Sequence, residues 1–328
     1  MNDPATLVRV LRSGLEESIH LGHVAVWDAQ GRLLAHAGEP EQSVFARSCM
    51  KPLQAAVSLS VMGDDAEQLS DREVAVMCAS HNGEEVHVAT VLGILGRAGL
   101  DAEALRNPPG WPLDPDTMAN AGAQRRELHN CSGKHAGMVL ATVRAGWDRS
   151  QYLEATEPLQ QRVLQAVLRG TDAPEVRVGI DGCGVPVHGM ALSRMAMLFA
   201  RLADPDRWDA LGPFVRRATA AMVSEPYLVA GRKRTDTAVM EVAPNVVVKG
   251  GAEGLMCASA LDRGLGVAVK VADGTARAAG PALIHALAQL DVLDESQVDR
   301  LRPHARPDVL GGGRPAGEIV VSFDLTSD

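Results

Sequence analysis

Lysine is scarce in this chain of 328 residues: only five of its 32 basic residues are lysine, and the rest are arginine. Arg keeps its proton in any protein environment, whereas a buried Lys can lose its proton and become a neutral base. The few lysines are therefore candidates for tasks that a permanent charge cannot perform. They are Lys51, Lys134, Lys233, Lys249 and Lys270.

Other features are also sparse, and each makes a class of protein less plausible. No stretch approaches the roughly 20 apolar residues that span a bilayer, and the N-terminus lacks the charged and apolar regions of a signal peptide. The five cysteines are odd in number and scattered, unlike a secreted disulfide framework. A net charge of -9 disfavours nucleic acid or an anionic membrane as a partner. We expect a cytoplasmic protein with reduced thiols.

Aromatic residues make up only 3% of the chain, so the core must consist mainly of Ala, Val, Leu and Met. Apolar spacing predicts strands near both ends of the chain and a largely helical middle. The predicted strands lie at 23–38, which contains two, and at 245–251, 254–261, 264–272 and 318–325. The predicted helices lie at 48–63, 71–80, 84–99, 133–146, 158–170, 193–203 and 276–290.

This pattern predicts an α/β protein of the α+β type. Its mainly antiparallel central sheet is formed by N- and C-terminal strands and flanked by helices. No G-x-G-x-x-G follows a strand, so a dinucleotide-binding fold is not expected. No linker interrupts the chain, and we expect a single catalytic domain over residues 1–328 with a helical middle subregion.

The stretch "FARSCMKPLQ" contains Ser48-Cys49-Met50-Lys51, a serine three residues before a lysine. On a helix that begins near Ser48, these two side chains share one face. A neutral Lys there could take the serine proton and create a nucleophile. Alone, the spacing is equally compatible with a capping Ser and a surface Lys.

Two further fragments extend this pattern: Ser80-His81-Asn82, and Lys249-Gly250-Gly251 at the end of a predicted strand. Together with the first fragment they resemble, in the same chain order, the S-x-x-K, S-D-N and K-T-G elements of β-lactamases and penicillin-binding proteins. In those enzymes the second Ser relays a proton, the Asn holds the substrate amide, and the strand-end Lys supplies charge. The three fragments favour a serine hydrolase.

A more specific resemblance covers nearly the whole chain. It is carried by "RSCMKPLQA", "CASHNGEEVH", "HNCSGKHAGM", "GIDGCGVPVHGMAL", "PYLVAGRKRTDTAVM" and "VVKGGAEGL". The sequence resembles the L-asparaginases typified by the inducible, thermolabile rhizobial enzyme. The resemblance implies a serine β-lactamase-like fold, a homodimer, and hydrolysis of L-asparagine, a small-molecule substrate, to aspartate and ammonia.

The resemblance also implies two Ser-Lys pairs, Ser48 with Lys51 and Ser80 with Lys249. Ser48 is the expected nucleophile and Lys51 its base, although an attack by Ser80 stays open. The expected substrate-binding residues are Arg47, Asn82, His135, Asp181, Gly250 and Gly251. Lys233 and Thr235 depart from the family pattern, which leaves the details of their loop open.

A metal site is implied only by the resemblance, since two scattered cysteines are a poor zinc signal by themselves. The residues that match the family's zinc ligands are Cys131, Lys134 and Cys183, with water as the fourth ligand. Zinc would support substrate binding. His129 and His188 are alternative ligands.

Two rival functions stay open at this point. One is a β-lactamase or peptidase-like serine hydrolase, which the missing export signal disfavours. The other is a non-catalytic protein of the same fold that binds a metal or an amino acid. The sequence does not distinguish asparagine from glutamine as the preferred substrate.

Overall fold

The structure is a computed structural model that describes residues 3–327. Its strands are β1 (Ala5–Arg12), β2 (Leu15–Asp28), β3 (Leu33–Ala37), β4 (Ser43–Phe45), β5 (Arg177–Ile180), β6 (Pro186–Ala191), β7 (Val246–Gly250), β8 (Leu255–Ala260), β9 (Leu265–Val271), β10 (Asp308–Gly311), β11 (Arg314–Val321) and β12 (Thr326–Ser327). Its α-helices are α1 (Lys51–Met62), α2 (Asp71–Met77), α3 (Glu85–Gly96), α4 (Pro115–Asn120), α5 (Ser132–Arg144), α6 (Pro158–Thr171), α7 (Leu192–Leu202), α8 (Gly212–Ser224), α9 (Pro226–Val229), α10 (Thr235–Val242), α11 (Ala276–Gln289), α12 (Glu295–Arg300) and α13 (Arg302–Ala305).

The chain folds as two compact units. The first unit contains the N-terminal segment through Cys49, then Gly189–Asp204, and the segment from Ala238 onward. The second unit contains Met50–His188 and Pro205–Thr237. The second unit holds the predicted helical middle of the chain. The single catalytic domain expected from the sequence stays a prediction.

The first unit is built on a nine-stranded sheet in the order β10-β11-β1-β2-β9-β8-β7, with β3 on β2 and β12 on β3. The pairing is antiparallel, and it joins the two ends of the chain: Val8 of β1 lies opposite Val321 of β11. Strands β7 and β8 are buried along their whole length. The prediction of a mainly antiparallel sheet made from N- and C-terminal strands is confirmed.

Two helices cover the sheet of the first unit. Helix α7 packs on β2, β8 and β9, and α11 packs on β1, β8, β9 and β11. The approach of α7 is close, because a Cβ at Gly266 of β9 would lie 2.0 Å from the backbone oxygen of Ala196. Glycine at this position therefore sets the distance between helix and sheet.

The second unit is helical, and α1 lies at its centre against α5, α6 and α8. Helix α2 packs against α3, α5 and α8 and begins with a capping box between Ser70 and Glu73. A Cβ at Gly133 of α5 would lie 2.0 Å from the oxygen of Val76, so α5 begins directly against the end of α2. This contact brings the segment after α2 close to the start of α5. No helix within residues 3–327 has the length and apolar character to cross a membrane.

Candidate active site

A lysine and a serine meet in the interior of the second unit. Lys51 is the first residue of α1, and its side chain is only 1% exposed. Its Nζ donates to Ser80 Oγ at 2.8 Å, to the Ala79 oxygen at 2.6 Å and, at a longer 3.5 Å, to the Asn130 oxygen. Each of the amine's three hydrogens therefore has an acceptor, and one of these acceptors is a hydroxyl.

The surroundings of Lys51 favour loss of its proton. Burial lowers the pKa of this amine, Lys134 lowers it further, and the Cys131 thiol opposes them. Once neutral, the amine has a lone pair that can accept the Ser80 proton across the same 2.8 Å contact. The pair can therefore act as a general base with a coupled hydroxyl.

Ser80 and Asn82 lie in an irregular segment after α2, held in place by backbone contacts to the chain around α9. The Ser80 N–H donates to the Val229 oxygen at 3.0 Å, and the Asn82 N–H donates to the Ala230 oxygen at 2.8 Å. The Asn82 amide nitrogen donates to the Arg232 oxygen at 3.0 Å. Residues 229–232 therefore fix both Ser80 and the expected amide-binding Asn82.

Arg234 adds a second restraint that the sequence analysis did not assign. Its Nη1 donates both to the backbone carbonyl oxygen of Ser80 and to the side-chain Oδ1 of Asn82, each at 3.2 Å. The side chain is 28% exposed and lies 3.9 Å from buried Asp236. The signal for Arg234 was present in "GRKRTD", but three adjacent basic residues gave no reason to choose the third.

Ser48 lies in the first unit, in a 3-10 turn (Arg47–Met50) that leads directly into α1. It is buried, with 9% of its surface exposed. Arg47, the residue before it, has a φ of 45°, a left-handed conformation that is uncommon for a residue with a side chain. Such strain is often found at functional sites, where the surrounding structure enforces it.

Lys249 and the two glycines after it also lie in the first unit, beside the Arg47–Cys49 segment. Lys249 is fully buried at the end of β7, where its Nζ donates to the Gly250 oxygen at 2.7 Å. The Cys49 thiol donates to the Lys249 oxygen at 3.1 Å. A Cβ at Gly251 would lie 3.1 Å from Cys49 Sγ and 3.5 Å from Arg47 Cβ. The glycine allows the two segments to approach this closely.

Each unit thus gathers part of the expected site. The first unit holds Arg47, Ser48, Lys249, Gly250 and Gly251, and the second holds Lys51, Ser80, Asn82, Cys131, Lys134, His135, Asp181 and Cys183. Within the second unit the partner of Lys51 is Ser80. The pairings of Ser48 with Lys51 and of Ser80 with Lys249 stay predictions.

The expected metal ligands also come together in the second unit. Cys131 lies just before α5, Lys134 is in its first turn, and Cys183 is in the turn before β6. The Lys134 amine lies 2.9 Å from Cys183 Sγ, which is 3.5 Å from Asp181 Oδ2. All three expected ligands are at most 4% exposed. The cluster therefore offers two sulfurs and one nitrogen away from water.

The charges within this cluster are linked. A hydrogen bond from Cys183 holds the pKa of the Cys131 thiol well below its usual value, despite burial. That same bond and burial raise the pKa of Cys183. For Lys134, burial lowers the pKa, but the charges at Cys183 and Cys131 outweigh it and the net direction is upward. Within this cluster the charged forms of Cys131 and Lys134 therefore stabilise each other.

Zinc is compatible with this donor set, because it takes sulfur and nitrogen ligands and requires a deprotonated thiol. Lys134 would also have to lose its proton to bind. Among residues 3–327, no three His, Cys, Asp or Glu side chains converge as metal ligands, so such a site needs the lysine. Two histidines were the alternative ligands. His129 Nδ1 already accepts a hydrogen bond from the Cys131 backbone N–H at 3.1 Å. Burial lowers the pKa of His188 to about 4.

His135 follows Lys134 on α5 and is fully buried. Its Nδ1 lies 2.7 Å from the Tyr152 hydroxyl, and its Nε2 has no hydrogen-bond partner among the described residues. Burial, reinforced by the Lys134 charge, holds the pKa of this imidazole well below its usual value. Tyr152 is a second residue that the sequence analysis did not assign.

The comparison with protein families identifies the chain. The model of the L-asparaginase II family matches residues 8–321. The chain belongs to this family. The resemblance stated from the sequence motifs is confirmed, and membership supports an amidohydrolase activity. A search of curated proteins found no match.

Similar solved structures are more distant from this L-asparaginase II family member. A glutaminase from Bacillus subtilis, in a covalent complex with 5-oxo-L-norleucine, is 16% identical with a TM-score of 0.38, over 84% of this chain and 89% of the other. A β-lactamase candidate from Bacteroides dorei is 13% identical with a TM-score of 0.37, over 77% and 87%. A β-lactamase from Mycobacterium bovis is 13% identical with a TM-score of 0.34, over 87% and 94%.

Proposed function

We propose that this protein is an L-asparaginase, which hydrolyses the side-chain amide of L-asparagine to L-aspartate and ammonia through a serine acyl-enzyme. The observation that carries the proposal is the buried Lys51 amine, 2.8 Å from Ser80 Oγ, in a chain of the L-asparaginase II family. A lysine buried to this degree and directed at a hydroxyl fits a general base better than a surface charge.

In the proposed reaction, Ser48 Oγ attacks the amide carbon of the substrate, and its proton passes to neutral Lys51, with Ser80 and Lys249 completing the relay. The tetrahedral intermediate collapses as the C–N bond breaks and the relay delivers the proton to the departing nitrogen, so that ammonia leaves. Water then attacks the Ser48 ester, returns a proton through the same groups and releases aspartate. The backbone N–H groups near Ser48 and Gly250 are the proposed oxyanion donors.

The remaining polar residues are assigned to substrate recognition. A carboxylate suits the α-ammonium group of an amino acid and a guanidinium suits its α-carboxylate, which assigns Asp181 and Arg47 to these two groups. Asn82 is assigned to the side-chain amide, and Gly251 allows close approach of the backbone. With these assignments, the site would bind a free amino acid rather than a peptide as its substrate.

Cys131, Lys134 and Cys183 are the proposed zinc ligands, and the ion, when bound, would supply a Lewis-acidic centre that orients the substrate. We also propose a homodimer, which size-exclusion chromatography with light scattering tests directly.

The first experiment measures ammonia release by the purified protein from L-asparagine and from L-glutamine. Ser48→Ala and Ser80→Ala are compared with Ser58→Ala, a control that removes a buried hydroxyl of α1, which donates to the Gln54 backbone oxygen. We expect turnover of asparagine in the unchanged protein and in Ser58→Ala, and a loss of at least about a hundredfold in the other two. Ordinary turnover by Ser48→Ala would make the nucleophile assignment wrong.

A covalent probe decides which serine carries the acyl group. The Bacillus subtilis glutaminase forms its 5-oxo-L-norleucine complex by reaction with 6-diazo-5-oxo-L-norleucine, and the same reagent can be offered to this protein. Peptide mass spectrometry should place the adduct on Ser48; an adduct on Ser80 would reverse the two serine roles.

Hydrolysis of nitrocefin without ammonia release from either amino acid would support the β-lactamase alternative instead.

A further inference from the structure

Tyr152 and His135 form a fully buried pair in the second unit. Both side chains have zero exposure, the Tyr152 hydroxyl lies 2.7 Å from His135 Nδ1, and the rings meet edge to face with centroids 5.6 Å apart. His135 lies one residue after Lys134 in the first turn of α5. The pair therefore adjoins Lys134, a residue of the expected site, whose charge acts on His135.

A backbone donor determines the direction of this hydrogen bond. The Arg106 N–H donates to the Tyr152 hydroxyl oxygen at 2.9 Å. The tyrosine's own O–H then needs an acceptor, and within residues 3–327 the contact that can serve is His135 Nδ1. If Tyr152 donates to Nδ1, that nitrogen carries no proton, and the hydrogen of the neutral ring is on Nε2.

The opposite arrangement satisfies fewer buried groups. A proton on Nδ1 would make the tyrosine oxygen accept twice, which would leave its O–H without an acceptor and Nε2 without a donor. Buried polar groups are almost always hydrogen-bonded, so the arrangement with the fewer unsatisfied groups is preferred. In it, one group remains unsatisfied: the His135 Nε2–H, which has no acceptor among the described residues.

We propose that Tyr152 is a positioning residue that holds His135 in its Nε2–H form, so that His135 offers an N–H donor to a carboxylate or amide oxygen of the bound substrate. The identity of that substrate rests on the proposed function. A buried donor without a partner is costly, and a ligand oxygen would remove the cost.

The direct test is spectroscopic and does not depend on activity. Protein labelled with ¹⁵N-histidine gives ring correlations that distinguish the two tautomers, and His135→Gln assigns the His135 signals. We expect the Nε2–H form in the unchanged protein and a mixture of forms in Tyr152→Phe. Tyr227→Phe is the matched control: it removes the other tyrosine hydroxyl of the chain, which donates to Glu84, and should leave the His135 signals unchanged.

A kinetic cycle separates positioning from general stability. A Gln side chain always carries its amide N–H donor, so this donor does not depend on Tyr152. Tyr152→Phe should therefore lower kcat/KM for L-asparagine roughly tenfold when His135 is present. In the His135→Gln background the same change should lower kcat/KM less than about twofold. Thermal melting of each variant confirms that it is folded.

Three results would overturn the proposal: an Nδ1–H ring in the unchanged protein, a tautomer that Tyr152→Phe does not change, or equal kinetic losses in both backgrounds. If the unchanged protein releases no ammonia from asparagine, the proposed function fails, and the ring spectra still decide the role of Tyr152.

Discussion

Lys51 and Ser80 are 29 residues apart in the chain, and their side chains meet at 2.8 Å in a part of the second unit closed to water. The contact joins the first residue of α1 to the irregular segment after α2. Because the lysine amine also binds two backbone oxygens, its direction is fixed before any substrate arrives. The amine is therefore held toward the serine hydroxyl, which is the arrangement that the proposed proton transfer requires.

Replacing Lys51 with Arg tests whether the amine must lose its proton. Arg keeps the positive charge and the capacity to donate, but it does not become a neutral base. We expect Lys51→Arg to lower kcat for ammonia release by about a hundredfold or more, since general-base catalysis contributes on the order of 10²–10⁴. Lys270→Arg, at a half-buried lysine of β9, is the control and should retain activity. Substantial turnover by Lys51→Arg would show that charge alone is sufficient there.

Zinc content tests the sulfur and nitrogen cluster. We expect about one zinc per chain in the purified protein, and a marked loss in Cys131→Ser and Cys183→Ser, because each removes one of the sulfurs that surround Lys134. Cys78→Ala alters a buried cysteine at the end of α2 that is not an expected ligand, and it should keep its zinc. Inductively coupled plasma mass spectrometry measures the metal, and KM for asparagine should rise as zinc is lost. Full zinc retention in both serine variants would place the metal elsewhere.

Gly231 tests the support of Asn82. Its φ is +112°, and a Cβ would lie 2.5 Å from Glu84 Oε1 and 2.7 Å from Asn82 Nδ2. We expect Gly231→Ala to lower stability by roughly 1–3 kcal/mol and to lower kcat by displacing Asn82. Gly96→Ala, at the end of α3, is the contrasting change. No atom lies within 4 Å of the position that its added Cβ would occupy, so its effect on stability should be neutral or slightly favourable. Thermal melting and ammonia release report the two effects.

The Glu73–Arg97 pair predicts a dependence of stability on pH. Burial acts to raise the pKa of Glu73, but hydrogen bonds from Arg97 and Ser70 outweigh it and keep this pKa below the usual 4.5. A carboxyl whose pKa is depressed by folding stabilises the protein above its unfolded-state pKa. It loses that effect as the pH falls through the folded-state pKa. Its contribution is therefore complete at neutral pH and disappears in acid.

Glu73→Gln should lower the free energy of unfolding by about 1 kcal/mol near neutral pH. The difference from the unchanged protein should shrink as the pH falls below 4.5. Thermal unfolding across this pH range measures it, with exposed Glu67→Gln as the control. A Tm difference that does not change with pH would show that Glu73 acts through shape rather than charge.

The general architecture was accessible from the sequence. Short apolar runs near the C-terminus predicted β7, β8, β9 and β11. The stretches with helical spacing of apolar residues predicted α1, α3, α5, α6 and α11. Strand β1 was not predicted, although Val8 and Val10 in it are fully buried.

The candidate site was predicted only in part. The pairing of Ser80 with Lys249 stays a prediction, and the contact of Ser80 with Lys51 within the second unit was not assigned from the sequence. Arg234 and Tyr152 were not assigned because each acts through a residue far away in sequence: Arg234 through Ser80, and Tyr152 through His135. Spacing along the chain shows which side chains share a helix face, but it does not show which elements pack together.

The composition by itself marked lysine as a scarce residue in this chain, and the stretches around the five lysines singled out three of them. Of five lysines, Lys51, Lys134 and Lys249 were chosen for their Gly-rich or helix-start contexts, and the structure buries all three to 2% exposure or less. The chain's preference for Arg made this inference possible, since a lysine retained among arginines marks an environment unsuited to a permanent charge. The tertiary structure decided what each amine faces: a hydroxyl for Lys51 and a thiol for Lys134. These partners come from separate segments that packing brings together, and no local pattern encodes the distance between them.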